Sequence, residues 1–68
     1  MNSGQILKMI IKDKGKKQKW LATKIGMPLS TMSNLLNKDI PFSLLLKICN
    51  LLEVPFNNYY KIYKENVS

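Results

Sequence analysis

The chain of 68 residues has no histidine, no arginine, a single cysteine and only four acidic residues. Each scarcity excludes something. Cys49 has no second cysteine with which to close a disulfide, and without histidine there is no ordinary zinc cluster. Four scattered acids and no histidine cannot assemble an acid–base pair or a nucleophilic triad, so neither an enzyme nor a metal or cofactor is expected. No apolar run approaches the roughly 18 residues of a membrane span. The N-terminus lacks a basic region followed by an apolar stretch and a small-residue cleavage site. The expectation is one small cytoplasmic domain over residues 1–68, with no membrane association. Its core must come from apolar residues alone, which form 46% of the chain, enough for a small core that a partner can complete.

What is present is positive charge, unevenly spread. Eleven lysines stand against four acids, for a formal charge of +7. Lys8, Lys12, Lys14, Lys16, Lys17, Lys19 and Lys24 crowd the first third of the chain, where Asp13 is the only acid. A basic block suits a polyanion, because neutralised phosphates release condensed counterions. Lysine-rich surfaces also keep small proteins in solution, and arginine is the better bidentate partner for phosphate and guanine. Charge alone therefore leaves both readings open.

The apolar spacing is helical nearly throughout, with no alternating strand pattern. Ile6, Leu7, Met9, Ile10 and Ile11 predict a first helix, capped by Asn2 or Ser3 and ended near Gly15. "KQKWLATKIG" predicts a second, with Leu21, Ala22 and Ile25 inward and a stop at Gly26. "PLSTMSNLLN" follows over 28–37, with Met32, Leu35 and Leu36 inward and Asn37 as terminator. In "PFSLLLKICNLLEV" one stripe runs through Phe42, Leu45, Leu46, Cys49 and Leu52, and a second through Leu44, Ile48 and Leu51. Two stripes predict a helix buried from two sides. Pro55 opens a final segment, about 55–68, carrying Phe56, Tyr59, Tyr60, Ile62, Tyr63 and Val67. The expected fold class is all-α, a compact bundle of five short helices.

The second and third segments join tightly. Gly26 allows a positive φ at the turn, Pro28 can start a helix, and the small Ala22 lets two helices cross closely. That is a helix-turn-helix over about 18–37, in which the second helix enters the major groove and the first crosses the backbone. "QKWLATKIGMPLSTMSNLL" resembles the helix-turn-helix of lambda-repressor-like and Cro-like (Xre-type) regulators. Gln18, Leu21-Ala22, Ile25-Gly26, Met27, Ser30, Met32 and Leu35 carry the likeness, and Phe42, Leu45, Leu46, Leu52 and Val54 extend it.

The resemblance implies a sequence-specific double-stranded DNA-binding regulator, a Cro-like repressor or switch protein of a phage or mobile element. It implies Gln18 as a phosphate ligand at the start of the first motif helix, with Lys16, Lys17 and Lys19 around it. Leu29, Ser30 and Asn34 fall where the family reads base edges, with Thr31 and Ser33 close by, while Asn37 matches a phosphate-contact position beside Lys38. Ser43, at the next helix start, is a further phosphate candidate. The chain departs from the family where a glutamate is replaced by Leu36, a glycine by Lys38, and a polar exposed residue by Trp20. Packing on the first helix, covering a sugar-phosphate backbone and joining an interface all stay open for Trp20.

Chemistry favours Asn34 as the reader, since its carboxamide can pair with adenine N6 and N7, worth roughly 1–3 kcal/mol of discrimination. A hydroxyl such as that of Ser30 is less selective, and Leu29 can only meet a thymine methyl. An A·T-leaning, pseudo-palindromic operator bound by a homodimer is expected, with no small-molecule ligand and a place at the nucleoid. Leu44, Ile48, Leu51, Phe56, Tyr59, Tyr60 and Tyr63 are the candidate dimer interface. The alternative is a protein-interaction module of the same fold, an antitoxin or anti-repressor.

Overall fold

Helix α1 (Ser3–Asp13) starts where its sequence offers a reciprocal cap. The Asn2 side chain accepts the Gln5 N–H at 3.0 Å, and the Gln5 side chain accepts the Asn2 N–H at 3.0 Å. The helix stops just before Gly15, whose φ is 70°. These features belong to a computed structural model that describes residues 1–67; Ser68 and the Val67 side chain, both in the expected C-terminal segment, lie outside the described residues. Four more helices follow: α2 (Gln18–Ile25), α3 (Leu29–Leu35), α4 (Phe42–Leu51) and α5 (Phe56–Val67). Among the described residues there is no strand, and no helix is long and apolar enough to cross a membrane. Helix α2 packs on α3, α1 on α5, and α4 touches both α2 and α5.

The turn between α2 and α3 is built on Gly26 at φ 87°. Its N–H and that of Met27 both donate to the Ala22 carbonyl, at 2.8 and 3.0 Å, closing α2 within two residues. Pro28 then caps α3 with an extended backbone. The third helix is shorter than its sequence pattern suggests, 29–35 rather than 28–37, and Leu36 rather than Asn37 ends it. Two causes act together. The Leu36 side chain is fully buried, and the chain beyond it is held by the start of α1. Asn2 Nδ2 donates to the Asn37 carbonyl at 2.9 Å, and the Gly4 N–H to the Lys38 carbonyl at 3.0 Å. The Ser3 N–H donates to Asp39 Oδ1 at 3.0 Å, and the Ile40 N–H to Ser3 Oγ at 2.7 Å. Only glycine permits this approach: a Cβ on Gly4 would overlap the Lys38 carbonyl and lie 2.7 Å from that of Leu35.

One core gathers Ile6, Leu7, Ile10 and Ile11 of α1, Leu21 and Ala22 of α2, and Met32 and Leu36. Leu45, Ile48, Cys49, Leu52 and Tyr59 close it from the other side. Helix α4 therefore buries one face, not two stripes. Leu45, Ile48, Cys49 and Leu52 follow the i, i+3, i+4, i+7 pattern of a single apolar side. Leu44 and Leu51 flank that face half-buried, while Phe42 (59% exposed) and Leu46 (37%) fall outside it. Met9 of the α1 pattern points outward at 38% exposure, and Leu35, expected inward, is only half-buried. Burial pushes the Cys49 thiol up from its ordinary value. Tyr59 is pushed up to about 12, chiefly by burial and then by Tyr63, with a hydrogen bond to Ser3 acting the other way.

Candidate nucleic-acid interface

Met32 in α3 and Leu36 at its end are buried, which turns Ser30 and Asn34, one turn apart, to solvent together. Thr31 is also exposed, as is Leu29 at 45%. The uncharged reading set expected from sequence thus shares one free surface, except for Ser33. That residue is half-buried, and its Oγ donates to Gln18 Oε1 at 3.0 Å. Its hydroxyl proton goes to α2, leaving only acceptor capacity for another partner, because the tight turn lays the start of α2 beside the middle of α3.

The same bond fixes Gln18. With Oε1 occupied, the carboxamide keeps its two N–H donors for an anion. Helix α2 adds more: its N-cap Lys17 makes no side-chain cap, and its first turn holds no acid. The first-turn backbone N–H groups, at the positive end of the helix, are left without a side-chain acceptor. Lys16, Lys17 and Lys19, all exposed, surround them.

Two lysines of the basic block that were not among the individual phosphate candidates also line this surface. Lys8 and Lys12 of α1 line a groove of about 780 Å³ together with Lys16, Lys17, Lys19, Leu29 and Ser33. The signal was their spacing of four along α1, which aligns them on one helical side toward Lys16. No acidic residue lines the groove.

The remaining phosphate candidates sit at the far end of α3. The Asn37 amide nitrogen donates to the Ser33 carbonyl at 3.1 Å, and its Oδ1 accepts from Lys8 Nζ. Its carboxamide therefore closes the last turn of α3 and fastens it to α1. Lys38 is exposed in the following loop, and Ser43 is exposed in the first turn of α4. Trp20 is half-buried against the core, with Lys16 Nζ 4.9 Å from its ring centroid.

The candidate dimer residues separate. Ile48 and Tyr59 are spent on the chain's own core, at 0% and 3% exposure, and offer a second copy nothing. Leu44 and Leu51 keep a half-buried strip on α4. Phe56, Tyr60 and Tyr63 form an aromatic row that Phe42, not among the expected residues, extends. Phe42 meets Phe56 edge-on at 5.5 Å, and Phe56 and Tyr60 stack at 6.0 Å. Phe42 and Tyr60 are 59% and 48% exposed.

Comparisons with curated proteins and with solved structures gave no match. Residues 6–65, nearly the whole chain, match the Cro/C1-type HTH DNA-binding domain. That span takes in α2, the Gly26 turn and α3, so the uncharged face and the lysines beside it lie on a DNA-binding domain: the chain belongs to the Cro/C1-type helix-turn-helix family.

Proposed function

We propose that the chain regulates transcription as a Cro-like repressor or switch protein, binding a pseudo-palindromic duplex site as two copies with α3 in the major groove. The observation that carries this reading is the separation of charge from the reading face. Lysines and free N–H groups gather at the start of α2, while Ser30 and Asn34 stand uncharged on α3. The first set grips phosphates and supplies affinity; the second meets base edges and supplies selectivity. Asn34 pairs with adenine, Ser30 donates or accepts, and Leu29 covers a thymine methyl. Lys38 and Ser43 meet the backbone beyond the C-terminal end of α3.

Size supports two copies. The chain's longest dimension is 31 Å. Successive turns of the major groove on one side of DNA lie about 34 Å apart. One copy therefore reads one half-site, and the row of Phe42, Phe56 and Tyr60 gives the second copy an apolar face to meet.

Selection from a random duplex pool yields the site, and Asn34→Ala is then measured on every single-base variant of it. The variant should lose roughly tenfold or more at one A·T position, on the scale of one bidentate pair, and little elsewhere. Equal losses on every sequence would remove Asn34 as a reader.

A further inference from the structure

The lysine groove does not stop at Gln18. It continues around α2 through Gly15, Lys16, Lys17 and Lys19 into a second depression of about 420 Å³, whose other walls are Trp20, Thr23 and Lys24. This second slot is set apart by its floor. The buried stripe of α2 is Leu21 and Ala22 with Ile25 beside them, and Trp20 lies off that stripe. Its indole packs partly buried beside the core and keeps one side open to the slot. Four lysines rim it, no acid does, and Lys16 Nζ lies over one ring.

An apolar plate edged by cations fits a ligand that is apolar in its middle and anionic at its ends. A deoxyribose flanked by two phosphates has that chemistry: the sugar lies on the indole and the lysines take the phosphates. The slot is also continuous with the candidate DNA groove, sharing three lysines with it. We infer that Trp20, with Lys16 and Lys24, seats the sugar-phosphate backbone of the same duplex just outside the segment read by α3. The slot lengthens the footprint of each copy and adds affinity without adding a base contact. The inference rests on the proposed DNA binding, and its test separates the two.

Trp20 is the only tryptophan in the chain, so indole emission reports from this slot alone. The selected site is placed in two duplexes, one trimmed to the edges of the site and one extended on each side by about a helical turn, near ten base pairs. Binding is followed by the anisotropy of a dye on the DNA, and indole emission is recorded separately. The extended duplex should change the emission and bind several-fold tighter than the trimmed one. Lys24→Gln should lower its slope of log K against log salt by roughly 0.9 and leave the trimmed duplex unaffected. Trp20→Phe, checked for retained helicity, should weaken only the extended duplex. Equal affinity for both lengths with unchanged emission overturns the slot and leaves the DNA reading standing. No binding to either duplex at low salt overturns the DNA reading, and the slot with it.

Discussion

Ser33 shows how one hydroxyl changes the role of its neighbour. Its bond to Gln18 Oε1 joins the two motif helices and orients the carboxamide proposed to meet a phosphate. Ser33→Ala frees the Gln18 side chain to rotate, at the scale of one hydrogen bond, about 1 kcal/mol. A gel-shift titration should find affinity reduced about fivefold on every sequence, with base preference unchanged; a shifted preference would mean that Ser33 does read a base. Tyr59 makes a different prediction. Burial raises its pKa to about 12, so above its ordinary value near 10 the unfolded chain loses this proton before the folded one does. Its contribution to stability is complete below about pH 10 and is lost as the pH rises through about 12. Urea unfolding across that range should decline less steeply in Tyr59→Phe than in the parent chain, and parallel curves would refute the assignment.

At the scale of the element, two glycines act by different means, and their alanine variants separate them. Gly26 sits at φ 87° with open space where a Cβ would go. Gly26→Ala should therefore cost only the left-handed backbone penalty, about 1–2 kcal/mol. Gly4 lies within α1 but has no space, since its Cβ would strike the carbonyls of Leu35, the last residue of α3, and of Lys38 beyond it. Gly4→Ala should cost about 1–3 kcal/mol as overpacking and also displace the loop carrying Lys38. Thermal melts with amide-exchange rates for residues 35–40 test both, and an undisturbed loop in Gly4→Ala would contradict the docking of α1 on it. The Gly26 turn was legible because positive φ leaves a residue-type signature next to Ile25. The Gly4 contact was not, because its partners lie more than thirty positions away and no local pattern records them. The same reason explains α3. Its start at Pro28 was visible, but its early end depends on α1 holding Asn37, Lys38 and Asp39.

Over the whole molecule, apolar periodicity was enough to give five helices and the pairing of α2 with α3. It could not decide which side of α4 faces inward. Phe42 and Leu46 had the right type for the core, yet Ile48 took the central place because α4 packs between α2 and α5. The candidate site was legible where chemistry is local, as at Ser30, Asn34, Gln18 and Lys16 to Lys19. It was not where tertiary packing assembles it, as with Lys8 and Lys12 joining from α1. The aromatic row belongs to this scale too. Phe42→Ser with Tyr60→Ser should abolish any dimer seen by sedimentation while leaving the helical content intact, since both side chains are about half exposed or more. A dimer that survives both changes would locate the interface elsewhere. Whether lysines around α2 grip phosphates while α3 reads uncharged is decided by duplex affinity at graded salt for the parent chain and for Lys16→Gln, Lys17→Gln and Lys19→Gln. Log K should fall linearly with log salt, and each substitution should flatten the slope by roughly 0.9 without altering base preference. A salt-independent affinity, or slopes unchanged by all three substitutions, would contradict that grip.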